Sequence, residues 1–524
     1  MDPVSFACGV LGGADVCLKS GKYLIRKFGD YRNAERDIVD TVLRMKTLWL
    51  KTEIQLESIQ KLWGSFDPRL QALFDELISH LQSKLQIASN SLDRVMDGKQ
   101  YEGGTVKKFK AAYFKKSIQQ AVQELEDWQG RFEPTWLLIT LVTSPAIDRY
   151  LEGENDQTSV PTRKLKELRD AMSRKVEARQ GSIFIREETI SGGYTPLPWS
   201  EVCTTRLAGS DKRFLIDKIT YLDSDISLAI VHIRDLARRL SNSDPAEFGI
   251  LRCRGVITTL SRAGNSFKLV FEIPPTLSSP QTLREILLHK APHPLNQRFQ
   301  LAKQLIRSLM FVHTFGFVHK SIRPDTIIVF RDSERTLGHS FLTGFERFRP
   351  GNAETLLSGD SSWEKNLYRH PKRQGIHPEE RYIMQHDIYS LGVCLLEIGL
   401  WNSFVRPADG SGLESSQSLK NVKEGLVSGN RPSFVKDGLV QIATKRLSGL
   451  MGQRYADIVL SCLTCLDPGD TNLFGKEEDL EDEDGIVVGV QFIEKVLNIS
   501  PVRVLFFANY DCMKVLLQIE DIRV

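Results

Sequence analysis

The chain has 524 residues, enough for two or three domains each with a core of its own. Hydrophobic content of 41% and charged content of 26% are those of ordinary globular protein. A net charge of only +3 argues against a general nucleic-acid binder, which needs a concentrated basic face.

Residues 1–150 read almost entirely as helix. Ile38, Val42, Met45, Trp49, Leu56, Ile59 and Trp63 recur every three or four residues and line one helix face. Asp67-Pro68 closes that helix and opens the next, because Pro is favoured in a first turn. Leu70, Leu73, Leu77, Leu81, Leu85 and Leu92 carry a second stripe, and a glycine-containing loop follows at 98–105. Phe114, Ile118, Ala121, Leu125, Trp128 and Phe132 form a third. With the apolar segment at the start, the pattern predicts four or five helices in an antiparallel bundle.

Residues 152–161 are polar and read as a linker. Residues 163–179 form an amphipathic helix whose outer face carries seven Lys or Arg against three acids. That face is either a solvated surface on a helix packed across the bundle or a basic strip for a membrane or partner.

From Ser182 the pattern changes to short β-prone runs at 182–185, 213–216, 255–257 and 267–271, interrupted by one helix at about 228–240. Pro274-Pro275 ends the last strand. The chain beyond is helical, with 296–314 and 386–399 the longest periodic segments. An acidic tract at 477–484, with seven acids in eight residues, predicts a disordered loop before a helix at 491–497.

The N-terminus has Asp2 where a secretory signal has its basic region, and no stretch reaches the ~18 apolar residues of a transmembrane helix. The eight cysteines are scattered among apolar residues. Cys462 and Cys465 make a single C-x-x-C with no second pair nearby, so they read as buried thiols. These features predict a protein kept in a reducing cytoplasm.

The most specific stretch is His313–Phe330, HTFGFVHKSIRPDTIIVF, followed by SFLTGF at 340–345. It resembles the catalytic loop and metal-binding turn of protein kinases, which read H-R-D-L-K-P-x-N and D-F-G. His319, Ile322, Arg323 and Pro324 fix the frame. In that frame Ser321 stands where the family has its catalytic Asp, Thr326 where it has the Mg²⁺-binding Asn, and Gly344 where it has the D-F-G Asp. His386–Gly392, HDIYSLG, resembles the family's D-x-x-S-x-G. The resemblance implies that Asp387 is a scaffold residue bonded to the catalytic-loop backbone, with His319 and Phe345 as further scaffold. Tyr368-Arg369-His370-Pro371 sits where the family has A-P-E, with Lys372 in place of the Glu.

The family also carries a nucleotide-binding Lys on its third strand. Lys218 is the expected counterpart and an exposed edge lysine the alternative; Asp235 is the expected acid partner. No G-x-G-x-x-G precedes that strand, and Gly192-Gly193 lies too far upstream. Losing a general base alone typically costs ~10²–10⁴ in rate, and both metal ligands are replaced as well. The expectation is therefore no catalytic residue, no cofactor and no metal. One escape remains: Asp325 and Glu346 as substitute metal ligands, or else as exposed loop residues.

The opening thirty residues, MDPVSFACGVLGGADVCLKSGKYLIRKFGD, resemble the HeLo and HeLo-like domains of fungal cell-death proteins. That resemblance implies a bundle whose first helix can leave the core and enter a membrane. The order of bundle and degenerate kinase is similar to that of the mixed-lineage kinase domain-like family. Gly9, Gly12 and Gly13 each lower helix propensity by roughly 1 kcal/mol relative to Ala; they either loosen helix one or let it pack closely.

The predicted fold is an all-α HeLo-like bundle followed by an α+β bilobal protein-kinase-like fold. Its parts are a bundle at 1–150, a linker and brace-like helix at 151–181, a small lobe at 182–277, a large lobe at 278–500 and an extension of unassigned role at 501–524. The predicted function is a signalling pseudokinase controlling the bundle in fungal regulated cell death or incompatibility. It would have a protein partner, membrane contact through residues 1–30 and self-association on activation, but no nucleic acid. The alternatives are a divergent active Ser/Thr kinase using ATP and Mg²⁺, and a non-catalytic adaptor.

Overall fold

The computed structural model describes residues 3–29, 36–66 and 68–97, most of 116–172 and most of 183–467, where the longest breaks are 351–360 and 420–431. The loop at 98–105, Glu346, the acidic tract and residues 501–524 lie outside the described residues. The chain divides into two compact units, Met1–Arg169 and Asp170–Val524.

The first unit is helical. α1 (Pro3–Gly29) packs on α2 (Arg36–Leu62) and α3 (Pro68–Asp97), and a fourth helix, α4, covers residues 116–126. Met45, Trp49, Leu56 and Ile59 of α2 and Leu77, Leu81, Leu85 and Leu92 of α3 are buried, as their spacing requires. Trp128 stacks on Phe132 at 4.5 Å and donates its indole N–H to the Leu77 carbonyl at 2.8 Å. The buried Gln129 amide donates to Thr52 Oγ1 at 2.6 Å and to Gln55 Oε1 at 3.1 Å, tying the segment of the third stripe to α2.

α5 (Pro145–Gly153) runs into the expected linker, and α6 (Val160–Met172) is carried with the bundle. Leu165 is buried, and Arg169 donates to Asp148 Oδ1 and, at 3.1 Å, to the Ile139 carbonyl. Among the described residues no helix is long and apolar enough to cross a membrane.

Among the described glycines of helix one, the closest approach is at Gly21. A Cβ there would overlap the Trp49 indole, whereas one at Gly12 would meet nothing within 4 Å and one at Gly13 would touch Ile78 at an ordinary 3.5 Å.

The second unit combines a mixed sheet with helices, compatible with a protein-kinase-like fold. Its sheet holds β1 (Phe184–Ile185), β2 (Thr195–Pro196), β3 (Cys203–Arg206), β4 (Arg213–Tyr221), β5 (Cys253–Ser261) and β6 (Gly264–Glu272), in the order β1-β5-β6-β4-β3-β2. All neighbours are antiparallel except β1 with β5. α7 (Ile226–Ser241) packs against β5, and the short α8 (Pro245–Phe248) follows.

Below the sheet, β7 (Pro280–Thr282) leads into α9 (Leu283–His289) and α10 (Leu295–Thr314). β8 (Phe317–Val318) precedes the loop of interest. β9 (Ile327–Ser333) and β10 (Thr336–Leu342) pair antiparallel, and β11 (Arg349–Pro350) pairs with β8. After α11 (Trp363–Asn366), α12 (Met384–Leu400) is buried along its whole length. Cys462 and Cys465 are buried free thiols, and Cys465 Sγ donates to the Gln385 carbonyl at 3.3 Å.

Gly21→Ala is expected to lower the melting temperature, at a cost on the order of 1–3 kcal/mol, because a packed indole must move. Gly12→Ala is expected to raise it slightly through helix propensity. Thermal unfolding of the two variants beside the wild type checks the opposite signs.

Candidate functional site

The site is built from β4, the loop at 319–326, the turn at 343–345 and the N-terminal end of α12. In β4, Phe214 and Ile216 join Ile257 and Val270 in an apolar cluster on one face. Side chains alternate along a strand, so Lys218 shares that face, where it is exposed, while Leu215, Asp217 and Ile219 turn the other way and are buried. The strand thus presents Asp217, not Lys218, to the turn at 343–345. Asp217 Oδ2 accepts the backbone N–H of Gly344 at 2.8 Å and of Phe345 at 2.9 Å. Asp235 pairs with Arg239 on its own helix at 3.1 Å, so the expected Lys218–Asp235 pairing is not assembled.

Asp387 holds the loop from below. Its carboxylate accepts the N–H of His319 at 2.7 Å and of Lys320 at 2.8 Å, the His313 Nε2 hydrogen at 3.0 Å and the Tyr382 hydroxyl at 2.7 Å. Burial alone would push this carboxyl up, but its hydrogen bond to His313 and its other partners outweigh burial and hold it below the usual carboxylate range. The loop passes Lys320 at a φ of +66°, with the N–H groups of His319 and of Lys320 itself both held by Asp387.

Ser321, Thr326 and Gly344 are each taken up in packing the loop. Ser321 Oγ accepts from Arg323 Nη1 at 2.7 Å. Thr326 Oγ1 lies 2.8 Å from the Ser321 carbonyl and 2.9 Å from that of Arg323, and accepts the Arg323 N–H at 3.1 Å, stapling the turn shut. The Thr326 carbonyl in turn accepts from Thr343 N at 2.8 Å and Thr343 Oγ1 at 2.9 Å. This brings Gly344 against the Thr326 methyl: φ is +85°, and a Cβ on residue 344 would overlap that methyl. A side chain at 344 and a β-branched one at 326 exclude each other. Phe345 lies 4.9 Å from the His319 ring and 6.1 Å from Phe271, completing a buried aromatic column that joins the lobes.

The carboxylate of Asp325 is spoken for. It is within 2.8 Å of Arg284 Nη2 and 3.2 Å of Arg323 Nε, and its side chain is only 14% exposed. Desolvation raises its pKa, but the two guanidinium charges overcome that and leave it below the usual range. Among the described residues no group of three or more His, Cys, Asp or Glu is placed to hold a metal ion. Lys372 forms a 2.5 Å ion pair with Glu380.

The turn between β2 and β3, Leu197–Val202, faces the same loop from above. Ser200 Oγ donates to the Asp325 carbonyl at 2.7 Å, and Thr282 Oγ1 donates to the Pro198 carbonyl at 3.1 Å. Neither Asp217 nor this turn stood out in the sequence. The parity of β4 is hidden because both faces are apolar up to Ile216, and a two-residue β2 leaves no alternation to detect.

Beneath the loop a buried polar chain continues from Arg284 to the Tyr368 hydroxyl at 3.4 Å, and from that hydroxyl to Glu397 Oε1 at 3.1 Å. The Phe404 N–H donates to the same oxygen at 2.6 Å, while Glu397 Oε2 has no hydrogen-bond partner among the described residues. Burial, only partly offset by these donors, raises the Glu397 carboxyl to about 7.

No protein-family model and no curated protein matches the chain. Among solved structures it is similar to a chain of the CAK complex from Chaetomium thermophilum bound to ATP-gamma-S, at 17% identity, covering 50% of this chain and 80% of that one, with a TM-score of 0.33. A likeness of that size says nothing about activity.

The raised Glu397 carboxyl has a pH signature. Between about pH 4.5 and 7 the folded protein keeps a proton that the unfolded chain has lost, so this group's contribution to stability declines as pH rises through that window. Glu397→Gln is expected to flatten the decline, which amounts to roughly 3 kcal/mol at 1.36 kcal/mol per pKa unit. Chemical denaturation of both proteins across the window checks it.

Proposed function

We propose that this protein is a signalling pseudokinase whose kinase-like unit works as a nucleotide-independent scaffold controlling a HeLo-like N-terminal effector bundle. The observation that carries the reading is the seat of Asp217. Phosphoryl transfer depends on positioning a triphosphate with cations and amide donors. Here a carboxylate stands at the strand position facing the turn, and the Gly344 and Phe345 amides already donate to it. A triphosphate brought to this spot meets like charge.

The three family positions for chemistry support the same reading. Ser321 carries a hydroxyl in place of a carboxylate base, the Thr326 hydroxyl is bonded into its own turn, and Gly344 has no ligand atom. Repairing Gly344 alone is blocked by the Thr326 methyl. The contacts of His319, Phe345 and Asp387 support a scaffold role for them: Asp387 accepts the His319 N–H, and the His319 and Phe345 rings lie 4.9 Å apart. In this reading the output lies in the bundle: release of residues 1–30 to a membrane, a protein partner upstream, and self-association on activation, in the setting of fungal regulated cell death.

The purified chain is expected to transfer no phosphate to generic substrates with Mg²⁺ and ATP, and Ser321→Asp is expected to leave it inactive. Transfer by the wild type would favour the divergent-kinase alternative. Liposome leakage by residues 1–180 that is abolished by Val10→Glu supports an effector bundle; leakage indifferent to that charge counts against insertion of helix one, and no leakage favours the adaptor.

A further inference from the structure

Resting on that reading, we propose that the β2–β3 hairpin is a built-in strap that clamps the small lobe to the large lobe without nucleotide, and that release of this strap is the conformational switch of the unit. The tip is tethered on both flanks. Ser200 on one side of Trp199 reaches the Asp325 carbonyl at 2.7 Å, and the Pro198 carbonyl on the other receives the Thr282 hydroxyl at 3.1 Å. Both landing points are stiff. Asp325 is gripped by Arg284 and Arg323, and Thr282 Oγ1 also accepts the Glu285 N–H at 3.1 Å in the first turn of α9.

The hairpin is also unsuited to embracing phosphates, which takes free backbone N–H groups. Pro196 and Pro198 have none. The N–H groups of Leu197, Ser200 and Val202 are used inside the hairpin, donating to the Val202 carbonyl at 2.9 Å, the Leu197 carbonyl at 3.2 Å and Ser200 Oγ at 3.2 Å. Between its tethers Trp199 is held at a φ of +63°, a conformation bulky residues rarely adopt, and the residue is 41% exposed. A strained backbone persists where its surroundings fix it, and here the two flanking hydrogen bonds do so. The Asp217 contact to Gly344 and Phe345 makes a second, independent tie between the lobes.

The test is hydrogen–deuterium exchange on the full-length chain without nucleotide. Ser200→Ala deletes one tether; Ser200→Thr keeps the hydroxyl, and Glu201→Ala alters the neighbouring exposed residue. The strap predicts that Ser200→Ala speeds exchange roughly fivefold, the worth of one hydrogen bond, in residues 195–203 and together with them in 280–285 and 319–328. The other two variants are expected to match the wild type. Faster exchange confined to 195–203, no change at all, or an equal rise throughout the unit would each overturn the proposal. Adding Mg²⁺ and ATP to the wild type separates it from the reading beneath: protection of these segments by nucleotide contradicts the nucleotide-independent scaffold, while the comparison of variants still decides the strap.

Discussion

The carboxylate of Asp217, seated on the amide hydrogens of Gly344 and Phe345, is the contact on which the rest of the cleft depends. It fixes the turn that carries Phe345, and Phe345 in turn bridges His319 below and Phe271 above. A buried carboxylate is tolerated where strong donors surround it, and two aligned backbone amides supply that here.

The same economy runs through the loop. Asp387 gathers two backbone amides, a histidine and a tyrosine at 2.7–3.0 Å and so fixes the path of the loop. Once that path is fixed, the positions that would bear ligand atoms become packing positions. The Thr326 methyl fills the space a side chain at 344 would need, and Asp325 turns to two guanidinium groups. Reverting any one of them meets the others, because neighbours in contact do not act additively.

Much of the architecture was legible in the sequence. The stripes of α2 and α3, with Pro68 between them, gave both helices to within a few residues, because a buried helix face must repeat every three to four positions. α10 and α12 were readable for the same reason. The frame of the loop was placed by its resemblance to a known motif, through His319, Ile322, Arg323 and Pro324. What stayed hidden depended on direction rather than type. Asp217 and Lys218 are adjacent, and only the pairing of β4 with β6 decides which turns inward. Gly21 looks no different from Gly9, Gly12 or Gly13 until the Trp49 indole lies across it. For α6 the sequence left a helix packed across the bundle and a basic strip as alternatives, and the Arg169–Asp148 bond accords with the packed one. The hairpin at Trp199 follows no period at all.

The central claim is that this cleft does not hold a magnesium–triphosphate complex. Isothermal titration of the full-length wild-type chain with ATP, in magnesium and then in EDTA, tests it most directly. The account predicts no saturable heat in either buffer. Saturable, magnesium-dependent binding would contradict it, since Asp217 would then have to be gathering a cation rather than refusing a phosphate.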